Sequence, residues 1–202
     1  GEKKKFFGLA CDKATKPKAI EWTALQCTKV GKNGKLVKSG CGNGWNGGAI
    51  SKMGVVGTAS VNFKCHTGQH QMIGFANGNT HNSYIDLECG FYCDKGTVRA
   101  YENGRHKYNG PRFNANTELM VTRVGDWSYY YANGKMLRKC ENKIKGTAFV
   151  DISLYHGNNQ GFIKAMWVNS PKARLVRPIT WTKAKCVKSS GSGLYKHQCG
   201  TG

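Results

Sequence analysis

The sequence predicts an all-β chain: a two-sheet antiparallel β-sandwich in one domain, with basic, disulfide-tied ends. Three observations predict it. Asn-Gly occurs seven times, beginning at Asn33, Asn43, Asn46, Asn77, Asn103, Asn109 and Asn133, and this dipeptide tolerates the positive φ angles of tight hairpin turns. Short β-rich runs lie between these turns. No window shows the capped, 3.6-residue apolar stripe of an amphipathic helix. Many short strands with regular turns imply a sandwich or barrel.

The expected strands, in order, are Ala59–Cys65, Gln71–Ala76, Ser83–Cys89, Thr97–Glu102, Glu118–Val124, Trp127–Ala132, Thr147–Leu154 and Gly161–Val168. In Thr97–Glu102, Val98 and Ala100 face opposite to Arg99 and Tyr101. In Thr147–Leu154, Phe149, Asp151 and Ser153 oppose Val150, Ile152 and Leu154. No internal repeat and no boundary interrupts residues 45–170. The expectation is a single domain over 1–202, with a core sandwich at about 20–180. The flanks are Lys-rich, and residues 187–202, with Ser189–Gly193 inside them, read as a flexible tail.

Charge sets the ends apart. The chain of 202 residues carries 31 Lys+Arg against 11 Asp+Glu, a formal net charge of +20. Residues 1–40 hold +7 and residues 152–202 hold +8, so the two ends carry +15 of it. Of the basic residues 24 are Lys and 7 are Arg. A Lys-heavy surface suits diffuse attraction to polyanions, whereas forked recognition of bases or phosphates favours Arg. The plain alternative is a solvated surface that keeps the chain soluble. The apolar runs fall far short of the ~18 residues that a membrane-spanning helix needs. No nucleic-acid-binding module is recognisable, so nucleic acid is the disfavoured polyanion.

Nine cysteines, Cys11, Cys27, Cys41, Cys65, Cys89, Cys93, Cys140, Cys186 and Cys199, are dense for a reducing compartment and read as disulfides. Only Cys89 and Cys93 lie close together, so no four-ligand zinc pattern forms, and neither metal nor cofactor is expected. The odd count leaves at least one thiol unpaired or joined to another chain or copy. Connectivity stays open; Cys11–Cys27 and Cys186–Cys199 are the local closures that would tether the ends. The chain opens Gly-Glu-Lys-Lys-Lys without Met and contains no Asn-x-Ser/Thr acceptor. Together these features suggest a secreted, extracellular protein in mature form, its leader removed.

Three segments follow one another: Gly96-Thr-Val-Arg-Ala-Tyr-Glu-Asn-Gly104, then Leu119–Lys135 with its Tyr129-Tyr-Tyr-Ala-Asn-Gly-Lys135 end, then Val150-Asp-Ile-Ser-Leu-Tyr155 followed by Ile163-Lys-Ala-Met-Trp167. Trp45-Asn-Gly-Gly-Ala-Ile-Ser-Lys52 and Met72-Ile-Gly-Phe75 precede them. Together, over about residues 45–168, they resemble the concanavalin A-like lectin/glucanase jelly rolls, including laminin-G-like and SPRY-like relatives. The resemblance implies fold, not function, because the superfamily spans lectins, hydrolases, adhesion modules and structural domains.

Tyr84-Ile-Asp-Leu-Glu88 is similar to the catalytic strand of the related retaining glucanases, Glu-Ile-Asp-x-Glu. Asp86 and Glu88 match, but Tyr84 stands where that motif has its nucleophile. Retaining hydrolysis needs two flanking carboxyl groups, so no catalysis is expected. Asp86 and Glu88 then read as same-face strand residues answering nearby lysines.

The candidate ligand-binding residues are aromatic and amide-bearing: Trp45, Asn77, Asn79, His81, Trp127, Tyr129 and Tyr131. Aromatic rings stack on pyranose rings while amides bond hydroxyls. Either Tyr130 or the set Trp127/Tyr129/Tyr131 faces outward; Trp167 reads as core, and Trp45 as core or surface. The six histidines read as solvated or structural. Candidate polyanion contacts are Lys3, Lys4, Lys5, Lys188 and Lys196. The expected partner is carbohydrate or another extracellular polyanion, bound without catalysis. The competing expectation is a structural subunit of a filament, wall or coat that associates with copies of itself.

Overall fold

The structure, a computed structural model, describes residues 18–31, 36–78, 81, 83–157, 164–169, 174–176, 187–190 and 193–196. In chain order the strands are β1 (Lys18–Ala19), β2 (Trp22–Gln26), β3 (Thr28–Val30), β4 (Leu36–Lys38), β5 (Gly47–Ser51), β6 (Gly54–Val56), β7 (Ala59–Lys64), β8 (His70–Ala76), β9 (Cys89–Asp94) and β10 (Thr97–Glu102). They continue as β11 (Arg105–Arg112), β12 (Leu119–Val124), β13 (Trp127–Ala132), β14 (Lys135–Lys143), β15 (Phe149–Leu154), β16 (Lys164–Asn169), β17 (Arg174–Val176), β18 (Val187–Ser190) and β19 (Gly193–Lys196).

Six strands form one sheet in the order β1-β16-β7-β12-β13-β14; seven form the other as β11-β10-β9-β8-β15-β5-β2. Every ladder in both sheets is antiparallel. Three small pairs, β3-β4, β6-β17 and β18-β19, complete the description. The last pair lies inside the segment expected to be a flexible tail, so 187–190 and 193–196 form a hairpin rather than an open chain.

Alternation builds the core. Ile73 and Phe75 of β8, Phe91 and Cys93 of β9, and Val98 and Ala100 of β10 are buried towards Val61, Phe63, Val121 and Tyr130 of the six-stranded sheet. Phe91 bridges the sheets, meeting Phe63 edge-on at 6.0 Å and Tyr130 at 5.0 Å. Such pairs contribute about 0.5–1.5 kcal/mol beyond area burial. Tyr130 is therefore the core-facing member of its strand, and Trp127, Tyr129 and Tyr131 face outward. The Trp167 side chain lies outside the description.

One polar group is central. Arg123 is 1% exposed, and its guanidinium donates to the carbonyls of Gly125, Val55, Ile144 and Gly146 at 2.6–2.8 Å. A buried charge is tolerable only when its donors are satisfied this fully.

Turn chemistry holds in part. Asn103-Gly104 and Asn133-Gly134 take positive φ at both positions and close β10-β11 and β13-β14. Asn109-Gly110 instead lies within β11, beside a register shift between Thr97 and Arg99. Asn33 lies outside the described residues.

Two expectations need correction. Ser83–Cys89 is not a strand: Tyr84–Asp86 form a 3-10 turn, and pairing resumes only at Cys89. Leu87, fully buried, anchors this segment, and a single turn brings the chain over the sheet where an extended strand would overshoot. Cys27 pairs with Cys41, not Cys11. The other described bridges are Cys65–Cys93 and Cys89–Cys140, and each joins β9 to the six-stranded side. Cys11, Cys186 and Cys199 lie outside the described residues, so the Cys186–Cys199 closure does too.

Candidate functional site

The period of two that buries Phe91, Cys93, Val98 and Ala100 turns Tyr92, Asp94, Arg99 and Tyr101 to the other side of the seven-stranded sheet. His70, at the start of β8, and Tyr155, just after β15, join them. Trp45 lies over this face, with its ring centroid 5.1 Å from Tyr84, 5.5 Å from Tyr92 and 5.4 Å from Tyr155, always edge-on. Tyr92 and Tyr84 both meet Tyr101, at 5.4 and 5.9 Å. His70 stacks on His156 at 5.0 Å and on Tyr92 at 5.7 Å. Trp45, Tyr84, Tyr92, Tyr101, Tyr155 and both histidines are half-buried, so the cluster keeps part of its ring surface in solvent.

The loop that carries Trp45 is pinned from three directions. The Cys27–Cys41 bridge closes its start. Lys38, 4% exposed, donates from Nζ to the carbonyls of Gly44 and Tyr155 at 2.6 and 2.7 Å. The Gly44 N–H reaches the Tyr155 carbonyl at 2.9 Å, and Asn43 Oδ1 accepts from the Gly157 N–H at 3.0 Å. Gly47 leaves room for the buried Lys38 stem, since a Cβ there would lie 2.8 Å from Lys38 Cδ and the lysine would have to shift.

Beside the rings is a hydrogen-bonded polar set. Tyr92 Oη lies 2.6 Å from His70 Nδ1, and the same nitrogen is 3.1 Å from Asp94 Oδ1. Arg99 pairs with Asp94 Oδ2 at 3.0 Å. Burial pushes the Tyr92 phenol well up, with Asp94 adding to the effect. Burial also lowers His70, with Asp94 opposing. A phenol held protonated and an imidazole held neutral are hydrogen-bonding partners for hydroxyls, and a phenolate base is disfavoured.

The predicted site residues separate. Trp45 is in the aromatic cluster. Asn77 and His81 sit in the loop after β8, away from it in role: the Asn77 N–H donates to Glu88 Oε2 at 3.0 Å and the His81 N–H to Asp86 Oδ2 at 2.8 Å. These two carboxylates hold a loop to a turn, which corrects their reading as same-face strand residues. Asn79 lies outside the described residues. Trp127, Tyr129 and Tyr131 are on the outer face of the six-stranded sheet, opposite Trp45; Lys139 and Lys143 cover Trp127 at 3.6 and 4.8 Å from its ring centre.

Lys3, Lys4 and Lys5 lie outside the described residues; Lys188 and Lys196 are placed by their backbone only, in the β18-β19 hairpin. Sequence reasoning missed His70, Tyr84, Tyr92, Tyr101, Tyr155 and His156. The alternation of Arg99 and Tyr101 against Val98 and Ala100 was the one signal pointing to this face. Among the described residues no group of three or more His, Cys, Asp or Glu is arranged to hold a metal ion.

The fold is that of the concanavalin A-like jelly rolls. No protein-family model and no curated protein sequence matches the chain. The likeness is structural. The SPRY domain of human HERC1 superposes with a TM-score of 0.55 at 14% identity, covering 76% of this chain and all of that one. The exoplasmic/lumenal domain of VIP36, in a Ca2+/Man2-bound form, gives 0.50 at 8% identity over 80% of this chain and 90% of its own. An alginate lyase from Corynebacterium sp. gives 0.40 at 11% identity over 74% and 80%.

Proposed function

We propose that this chain is a secreted carbohydrate-binding protein that holds, without turnover, an anionic polysaccharide on the aromatic face of the seven-stranded sheet. The observation that carries the reading is Trp45, clamped edge-on among Tyr84, Tyr92 and Tyr155 with ring surface left in solvent. Half-exposed rings supply stacking faces for the C–H surface of a pyranose. The Tyr92, His70 and Asp94 set supplies hydrogen bonds to hydroxyls, and Arg99 a cation at its margin. The Ca2+/Man2-bound state of the VIP36 domain supports saccharide binding on this fold. Three disulfides support an extracellular setting.

Binding without hydrolysis is supported by the turn at Tyr84–Asp86, where Asp86 and Glu88 accept from the His81 and Asn77 N–H groups and do not lie along a strand as a flanking carboxyl pair. The basic ends, through Lys3, Lys4, Lys5, Lys188 and Lys196, would draw the polymer in by attraction screened over about 8 Å at physiological salt. The test is titration calorimetry of an acidic and a neutral oligosaccharide series, with reducing ends assayed in parallel. Saturable binding abolished by Trp45→Ala, with no new reducing ends, is the expected result. Binding unaffected by Trp45→Ala, or steady release of reducing ends abolished by Glu88→Gln, would overturn it.

A further inference from the structure

We propose that the side of the sandwich holds a second site, a groove between β11 and β14 that takes one acidic sugar unit of an anionic polysaccharide. The proposal rests on the carbohydrate reading above but uses different residues in another part of the fold.

The groove follows from how two edge strands meet. β11 ends the seven-stranded sheet and β14 ends the six-stranded one. Near one end charge ties them: Lys107 Nζ of β11 reaches Glu141 Oε2 of β14 at 2.7 Å, and Glu102 at the end of the neighbouring β10 adds to it, its Oε1 2.9 Å from Arg138 Nε and its Oε2 accepting from the Glu141 N–H at 2.9 Å. Beyond these contacts the strands part. A cavity of about 550 Å³ opens, lined among others by Tyr108, Pro111, Arg112, Asn133, Lys135 and Leu137. That volume lies within the range of small-ligand sites, roughly 300–1,000 Å³. Gly110 lets β11 lie close against β10 behind the groove, because a Cβ there would lie 2.7 Å from Val98 Cγ2 and 2.9 Å from the Val98 carbonyl.

The lining has one sign of charge. Arg112 and Lys135 are exposed, and neither joins any ion pair among the described residues. No acidic side chain lines the cavity. Asn133 spends its Oδ1 on the Glu118 N–H at 2.9 Å, which leaves its amide NH2 as a donor. Tyr108 and Leu137 pack partly against the core and form an apolar floor. Two cations, an amide and an apolar floor match the carboxylate or sulfate, the hydroxyls and the C–H face of an acidic sugar. An extended acidic peptide fits less well. Its docking would need a regular strand edge, and β11 carries Pro111 and two register shifts.

Amide-resolved NMR titration of the full chain tests this, with a galacturonate hexasaccharide and a heparin hexasaccharide as acidic probes and cellohexaose as the neutral one. The acidic probes should shift the amides of Gly110, Arg112, Lys135 and Leu137, while cellohexaose leaves them in place. Arg112→Ala with Lys135→Ala should weaken the acidic probes about 10-fold without lowering the melting temperature, because exposed charges contribute little to folding stability. Arg112→Lys with Lys135→Arg should retain binding. If acidic probes bind but only Trp45→Ala weakens them, the groove is wrong and the carbohydrate reading stands. If none of the three probes binds, both fall. Tighter binding of a poly-glutamate peptide or an oligothymidylate in the groove would also overturn the assignment.

Discussion

Lys38 and Tyr155 are 117 residues apart in the chain, and the Lys38 ammonium donates to the Tyr155 carbonyl at 2.7 Å. A buried ammonium that spends its donors on backbone carbonyls is a clamp, because each carbonyl would otherwise face a desolvated neighbour. Here it fixes the Trp45 loop to the end of β15. Replacement by methionine keeps the stem and removes the donors. Lys38→Met should therefore weaken saccharide binding at the Trp45 face more than it lowers the melting temperature, a comparison open to calorimetry on one sample. Unchanged binding would show that the loop does not need the clamp.

Arg123→Met removes four donors aimed at backbone carbonyls; the Val55 carbonyl keeps the Ala148 N–H at 2.9 Å, while those of Gly125, Ile144 and Gly146 lose the guanidinium. The expected loss is about 2–4 kcal/mol of stability, because each buried acceptor left without a donor costs about 1–3 kcal/mol and removal of the buried charge offsets part of it. Urea denaturation of the two proteins side by side measures it, and a loss below ~1 kcal/mol would mean that water replaces the donors.

Asp151 is fully buried in β15, and its Oδ2 has no hydrogen-bond partner. Burial raises its carboxyl well above the ordinary 3.8, with Asp86 and Glu88 adding to the effect. A raised folded value means that the stability tied to this group is present below pH 3.8 and is lost as pH rises through the folded value. Asp151→Asn should thus stabilise the protein at pH 7 by about 1–3 kcal/mol, with the advantage vanishing towards pH 3. An Asn variant less stable at neutral pH would overturn this.

The two stacked histidines act in the opposite sense. Burial lowers His70, opposed by Asp94, and lowers His156 together with Lys95 and Lys38. The folded protein then binds fewer protons than the unfolded chain just below 6.5, their ordinary value, so their contribution is full above that pH and lost on acidification. Melting curves from pH 7.5 to 5 should show a decline that His70→Gln with His156→Gln flattens. An equal decline in the double variant would place the effect elsewhere.

Reduction should abolish the cooperative melt, since each lost bridge typically costs ~2–5 kcal/mol. Thiol titration of the native protein should find few free groups. Eight or nine reactive thiols in a folded sample would remove the extracellular reading.

The sheets were legible from local pattern because alternation is local. Val98 and Ala100 against Arg99 and Tyr101 already separate core from face, and Asn133-Gly134 already closes its hairpin. The site was not. Trp45 meets Tyr92 and Tyr155 only because β8, β9 and β15 are neighbours in the sheet, a relation set by crossovers that no short window encodes. The resemblance of residues 84–88 to a catalytic strand misled for a similar reason: buried Leu87 anchors a turn there, which sequence similarity alone could not exclude. The Cys27–Cys41 pairing is local in sequence, yet several local pairings were equally open to nine cysteines.

β9 is bonded covalently to the opposite sheet near both of its ends, through Cys89–Cys140 and Cys65–Cys93. A tensile load that pulls the two layers apart would meet these links before it reached the packed rings between them. Separation would then start by peeling the outermost strands, β11 and β2 on one layer and β1 on the other, while the middle stayed riveted. A polymer tugging on the domain would consequently strain its margins first and spare the strand that presents Tyr92.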